Sequence, residues 1–218
     1  MEAQSDNTRD RGLRALANYS GDPWVPAHPY FQHAENSMVH LWENLIWPFI
    51  SDTDFTAVLD LAAGHGRNSV KLLEHATALC IMDIQPGNID ECRRRFEDCS
   101  NVRYFVNNGY DFTPVTDESI SLIYCFDAMV HFDSDVVRSY LHDAMRILTK
   151  GGHGFFHHSN YIGGEDWQLS PAARNFMSAP LFRHYADKEG LLVIRQKIIN
   201  WDRHADHDCL TLVQRPAH

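Results

Sequence analysis

The sequence predicts an α/β fold: a doubly wound, mostly parallel seven-stranded sheet with an antiparallel hairpin at one edge and a helical cap at the N-terminus. Three observations predict it. From residue 55 onward short apolar runs alternate with longer amphipathic ones, the pattern of strands joined by crossover helices. The last two apolar runs are joined by only the polar stretch Trp201 to His207, which suits an antiparallel pair rather than a crossover. A length of 218 residues, with 44% hydrophobic and 22% charged side chains, is ordinary globular composition within reach of one core.

Taken in order, residues 1 to 27 carry Gly12, Gly21, Pro23 and Pro26 among polar groups and read as a loose arm. Between Pro29 and Ile50 the positions Phe31, Met38, Leu41, Trp42, Leu45 and Ile46 recur at helical spacing, which predicts a cap helix that starts at Pro29 and falters at Pro48. Residues 1–54 are therefore assigned to arm and cap, and 55–218 to the α/β domain. Within it, strands are expected at Phe55 to Ala62, Ala78 to Ile84, Val102 to Val106, Ile120 to Phe126, Phe155 to His158, Leu191 to Asn200 and Asp208 to Gln214. Helices are expected at Arg67 to His75, Gly87 to Phe96, Asp133 to Leu148 and Ala179 to Glu189. The third of these has Asp133 or Ser134 as N-cap and stops at Lys150-Gly151-Gly152.

The net charge of −10, from 19 basic and 29 acidic residues, repels phosphate backbones and anionic membranes, so neither nucleic acid nor membrane is an expected partner. No apolar run approaches the ~18 residues of a membrane span, and Met1 to Arg14 lacks an apolar signal core. Five cysteines, odd in number and without C-x-x-C spacing, point to a reduced, cytoplasmic protein.

The strongest local signal is Val58-Leu59-Asp60-Leu61-Ala62-Ala63-Gly64-His65-Gly66-Arg67-Asn68. An apolar strand ends in an acid, a turn of small residues follows, and a helix begins. Small residues let a ligand approach the backbone, and helix-start N–H groups stabilise an anion. A carboxylate before the turn suits a cationic ligand better than a pyrophosphate. The next apolar run ends in Asp83, where an acid suits a ribose diol; it would equally serve as an N-cap for the following helix.

Over roughly residues 55 to 214 this series resembles the class I S-adenosylmethionine-dependent methyltransferases, whose fold is Rossmann-like. The resemblance implies that Asp60, Ala62, Gly64 and Gly66 wrap the methionine part of S-adenosylmethionine. It further implies that Asp83 binds the ribose with Ile84 beside it, that Asn108 and Gly109 lie at the adenine, and that Phe126 and Asp127 lie beside the methyl donor. Two departures stand out. Ala62 replaces the first glycine of the common turn, which is tolerable if its φ is negative. The adenine position carries Asn108-Gly109 in place of a Gly-Asp pair, leaving open which of Asn107, Asn108 and Tyr110 reads the base.

For the methyl acceptor, two clusters follow the fourth and fifth strands: Phe126 to His131 and Phe156 to Tyr161. Only one of His157 and His158 should face the crevice, since strand side chains alternate. His158, nearer the tip, is the expected general base, His131 the second choice, and Asp127 the group that orients it. Tyr30, Phe31, Trp42, Trp47, Tyr161 and Trp167 are candidate walls of an acceptor pocket, the first four also candidate core, and Arg174 suits a carboxylate or phosphate on the acceptor. Among the 14 histidines, His204, His207, Asp208 and Cys209, or His157 and His158 with Asp166, match no common zinc framework. No metal is expected; Mg²⁺ on Asp127 or Asp166 is its most plausible form.

The expected function is methylation of a small molecule, foremost a hydroxyl on a sugar or secondary metabolite. An amine acceptor is the alternative, and a cofactor-binding partner protein without turnover is a reading of a different class. A nicotinamide reductase is disfavoured, because the third glycine spacing is missing. The aromatic cap also suits a homodimer surface.

Overall fold

The structure is a computed structural model and describes residues 8–20, 26–27, 29–163 and 173–218. Seven strands form one sheet in the order β3-β2-β1-β4-β5-β7-β6. They are β1 (Ala57–Leu61), β2 (Ala78–Asp83), β3 (Val102–Val106), β4 (Ile120–Cys125), β5 (Leu148–Ser159), β6 (Leu192–Trp201) and β7 (His204–Gln214). β1 lies parallel between β2 and β4, and β3 and β5 extend the parallel set on either side. β7 runs antiparallel between β5 and β6. The central strands are buried along nearly their whole length, as in β4, because helices cover both faces.

One face packs against α1 (Thr8–Ser20), α6 (Ser134–Ile147) and α7 (Ala179–Lys188). The other packs against the cap, α4 (Arg67–Leu73) and α5 (Pro86–Arg95). Asp133 caps α6 by accepting from the Asp135 amide, as its sequence implies.

Three expectations are corrected. The arm expected to be loose is helical over α1, because Leu13 and Ala17, one turn apart, are buried in the same cluster as Val136 and Tyr140 of α6; that contact outweighs the cost of Gly12. The cap does not stop at Pro48. It runs as α2 (Phe31–Leu41), a π-helical turn over Trp42–Ile46, and α3 (Trp47–Ile50). In the π turn the Trp47 amide bonds back to the Trp42 carbonyl, and Pro48 sits in the first turn of α3, where its missing donor costs little. Lys150-Gly151-Gly152, expected to stop the helix, lies past its end and inside β5, with Gly151 at φ +77°.

Candidate active site

The carboxyl ends of β1, β2 and β4 open into a cavity of about 1010 Å³, the usual ligand position in an open α/β sheet. Ordinary small-molecule pockets reach ~1,000 Å³, so there is room for a cofactor and a small acceptor together.

At one end lie the Ala62-Ala63-Gly64 turn, Asp83 at the end of β2 with Ile84 after it, Asn107 and Gly109 after β3, and Tyr140 of α6. Asp83 is 5% exposed. Its Oδ2 accepts from the Gly64 amide at 2.9 Å, and its Oδ1 from the Gln85 amide at 2.8 Å and the Asn88 side chain at 3.1 Å. Burial raises its pKa against these donors. The Gly64 bond ties the first turn to the end of β2, so the two halves of this end are set against each other. Asn107 donates to the Tyr140 hydroxyl at 2.8 Å. Gly109 has φ +88°, and a Cβ there would come within 2.5 Å of Ile84 and 2.7 Å of Ala17, so only glycine fits.

Several expected cofactor residues stand outside this wall. Asp60 is fully buried, with Oδ2 accepting from Ser69 at 2.6 Å and Oδ1 without a partner; burial pushes its carboxyl up to about 7. Gly66 has φ +78°, and its absent Cβ makes way for the Phe96 ring at 2.5 Å, so it serves packing. Asn108 spends its side-chain oxygen on the Tyr110 and Asp111 amides, which leaves Asn107 at the cavity. Ala62 is in the wall, but at φ +56°. The negative φ that would make alanine harmless is absent, and the turn carries left-handed strain.

At the other end the wall includes Tyr30, His33, Arg67, Phe126, Asp127, His131, Arg174, Trp201, His204 and His207. Asp127 stands just past β4 with φ +61°. Its Oδ2 accepts from Arg67 at 2.9 Å and from the Tyr30 hydroxyl at 3.2 Å, which bonds the cap to the sheet. Burial, then the neighbouring carboxylate, raise the Tyr30 pKa. Burial works against the Arg67 charge, but Asp127 more than offsets it. Arg67 is a site residue that sequence reasoning missed; nothing in the chain order signals that the first residue of α4 meets the end of β4.

His131 lies in the short 3₁₀ turn Met129–His131. Its Nδ1 is 3.0 Å from the Ala173 carbonyl, and Ser20 of α1 donates to its backbone carbonyl at 3.0 Å. Burial, then the Arg174 charge, lower its pKa.

The choice between His157 and His158 is corrected. His158 is fully buried and stacks on Phe182 of α7 with centroids 4.1 Å apart. Its ring nitrogens contact the Ser159 carbonyl at 2.8 Å and the Thr211 hydroxyl at 2.9 Å, and burial pushes its pKa down to about 3. It is not in the cavity wall. Nearness to the strand tip does not bring a side chain to the cavity; its face does, and His158 faces α7. His157 turns to the other face, between Phe126 and Trp201, and its Nε2 lies 3.1 Å from Asp208. Asp208 is also gripped by Arg174 at 2.9 and 2.8 Å; burial raises its pKa, but His157 and Arg174 outweigh that and hold it at about 2.

Of the candidate walls, Tyr30 lines the cavity. Trp42 and Trp47 stack on each other, with Trp42 in the core; Phe31 packs on His65, and Tyr161 on His207. Trp167 and Asp166 lie outside the described residues. His204 is already in β7, with its ring stacked on that of His207. Among the described residues no three His, Cys, Asp or Glu side chains converge as a metal site requires.

Residues 58–152 match the methyltransferase domain family. The chain is 23% identical to Nodulation protein S of Sinorhizobium fredii (strain NBRC 101917 / NGR234) over 62% of this chain and 59% of that protein, so the match spans less than two thirds of that relative's length. It is likewise 23% identical to Nodulation protein S of Rhizobium tropici, over 77% of this chain and 73% of that one. Among solved structures, the N-methyltransferase NodS from Bradyrhizobium japonicum WM9, in complex with S-adenosyl-L-homocysteine, superposes with a TM-score of 0.64 at 15% identity, covering 96% of this chain and 100% of that one. Geranyl diphosphate C-methyltransferase from Streptomyces coelicolor A3(2) superposes with a TM-score of 0.65 at 13% identity, over 96% and 99%.

The family match covers residues 58–152, and the fold is the one that these solved methyltransferases share. The residues at the Asp83 end fit S-adenosylmethionine, whose demethylated form is bound in the NodS structure: a carboxylate for a diol at Asp83, an apolar neighbour in Ile84, and backbone of the Ala62 to Gly64 turn in the wall. Among the described residues no helix is long and apolar enough to cross a membrane.

Proposed function

We propose that this protein methylates a hydroxyl group of a small molecule, with His131 as the general base. The observation that supports this reading is the way His131 is held. The Ala173 carbonyl can only accept, so Nδ1 carries the ring proton and Nε2 keeps its lone pair. The lowered pKa keeps the ring neutral at neutral pH. A neutral imidazole in the wall of the cavity is ready to take a proton from an alcohol as its oxygen bonds to carbon.

When bound, S-adenosylmethionine supplies an electrophilic methyl group. Asp83 would accept from the ribose hydroxyls, Ile84 would pack on the adenosine, and Asn107, whose amide nitrogen already donates to Tyr140 and the Asp111 carbonyl, would offer its Oδ1 to the base. Tyr30, Leu41 and Leu45 of the cap cover the cavity and keep water from the reacting atoms. Arg67 and Arg174 are each already paired with a carboxylate, so neither adds net charge at the acceptor end. That favours a neutral acceptor over a carboxylate or phosphate. An amine is the second reading, favoured by the likeness to an N-methyltransferase; His131 would then take the ammonium proton.

The test is product analysis with an isotopically labelled methyl donor and matched hydroxyl and amine acceptors. His131→Asn is expected to lower kcat at neutral pH by about 10²-fold or more, the usual share of a general base, with donor binding by calorimetry unchanged. Undiminished turnover would remove His131 from the reaction, and methyl found only on nitrogen would replace the hydroxyl reading.

A further inference from the structure

Asp127 holds a left-handed backbone conformation, φ +61°, at the point where β4 meets the cavity, one that Asp adopts more readily than most L-residues. Left-handed residues other than glycine persist where their surroundings hold them, and they gather at functional sites. Here the hold is visible. The Asp127 amide lies 3.1 Å from Nδ1 of His157. An amide can only donate, so Nδ1 bears a lone pair and the ring proton sits on Nε2. That proton has one receiver, Oδ2 of Asp208 at 3.1 Å. Asp208 is in turn clamped by two bonds from Arg174. Both His157 and Asp208 are fully buried, and Phe126 and Trp201 flank the imidazole with centroids 4.7 Å away. Every nitrogen of the ring is committed, and to a single tautomer.

We propose that His157 is a positioning residue, whose imidazole, locked by the Arg174–Asp208 pair, holds the Asp127 backbone so that the Asp127 carboxylate meets Arg67 and Tyr30 at the cavity. The chain of contacts begins and ends in the wall, since Arg174 and Asp127 both line the cavity while His157 and Asp208 do not. A change at the Arg174 end therefore reaches the Asp127 end through a buried, fully paired connection. His157 touches no reactant; it acts through Asp127. The kinetic part of its test rests on the methyltransfer reading above, whereas the amide-exchange part does not.

Two isosteres separate the halves of the imidazole. His157→Asn places an amide oxygen near the Nδ1 position, where it accepts from the Asp127 amide, but it does not reach Asp208. His157→Gln places its amide near the Nε2 position, where it donates to Asp208 but leaves the Asp127 amide unpaired. His157→Phe keeps the ring volume and loses both bonds. Two readouts apply: hydrogen exchange at the Asp127 amide followed by NMR, and kcat against donor Kd. The expected result is an Asp127 amide protected in the wild type and in the Asn variant but open in Gln and Phe. Alongside it, kcat falls roughly tenfold or more in Gln and Phe, the scale set by losing one buried hydrogen bond, while donor Kd stays level because the Asp83 end is untouched. Protection retained in Gln but lost in Asn, or unchanged in all three, would overturn the proposal. So would exchange that follows it with kcat equal in all variants. Absence of turnover in the wild type with the exchange pattern intact would count against the methyltransfer reading and leave the positioning of Asp127 standing.

Discussion

Ala62 is a site where the turn departs from the backbone it was expected to have. At φ +56° an L-residue costs ~1–2 kcal/mol, against ~0.5–1 kcal/mol of extra chain entropy lost by glycine. Ala62→Gly is therefore expected to raise stability by about 0.5–1 kcal/mol, read as a higher urea midpoint at unchanged m-value. The reason for alanine is not in local sterics. Arg67, His157 and Asp208 teach a related lesson. Each is chemically informative in the sequence only as a type, and its role depends on a partner 30 to 60 positions away. No spacing rule joins such pairs.

Helix α1 is masked in the sequence by Gly12 and a polar composition, although Leu13, Leu16 and Ala17 recur at one-turn spacing. Its packing on α6 places Ala17 and Ser20 in the cavity wall, so the element is part of the site. Burying Leu13 contributes ~1.5–3 kcal/mol. Leu13→Asp should detach α1, opening the Gly109 side of the cavity and freeing the carbonyl of His131 from Ser20. The expected outcome is at least about tenfold weaker binding of S-adenosylhomocysteine by calorimetry, equal to ~1.4 kcal/mol, with the sheet still folded by circular dichroism. Unchanged affinity would mean that α1 only covers the surface. The spacing from Phe31 to Ile46 likewise predicted a cap helix, but not the π turn at Trp42–Ile46 that carries it past Pro48 into α3.

Across the whole fold, two buried carboxylates pull stability in opposite directions with pH. Asp60 has a folded pKa raised to about 7 by burial, above the ~3.9 of an unfolded chain. The native state then holds the extra proton between these values, so its contribution is fully present below ~4 and is lost as pH rises through 7. Asp208, held at about 2, contributes above ~4, and that contribution is lost as pH falls toward 2. Asp60→Asn should flatten the decline of stability between about pH 4 and 7 in chemical unfolding, leaving the acid limb set by Asp208. A decline of wild-type steepness in that variant would assign it to other groups.

From residue order alone came the α/β alternation, the antiparallel hairpin, the small-residue turn between Asp60 and Gly66, and Asp83 at the end of β2. These are local signals: periodicity, turn chemistry and an acid at a strand end are written within a dozen residues. Tertiary structure decided which face of β5 meets the cap, and so that His157 lies beside Asp127 while His158 stacks on α7. It also decided that β7 lies inside β6, that Asn107 rather than Asn108 reaches the cavity, and that Arg67 meets Asp127. The physical reason is that each depends on groups brought together from distant parts of the chain. A strand's side chains alternate regardless of what covers each face, and an ion pair forms wherever burial leaves two opposite charges no better partner.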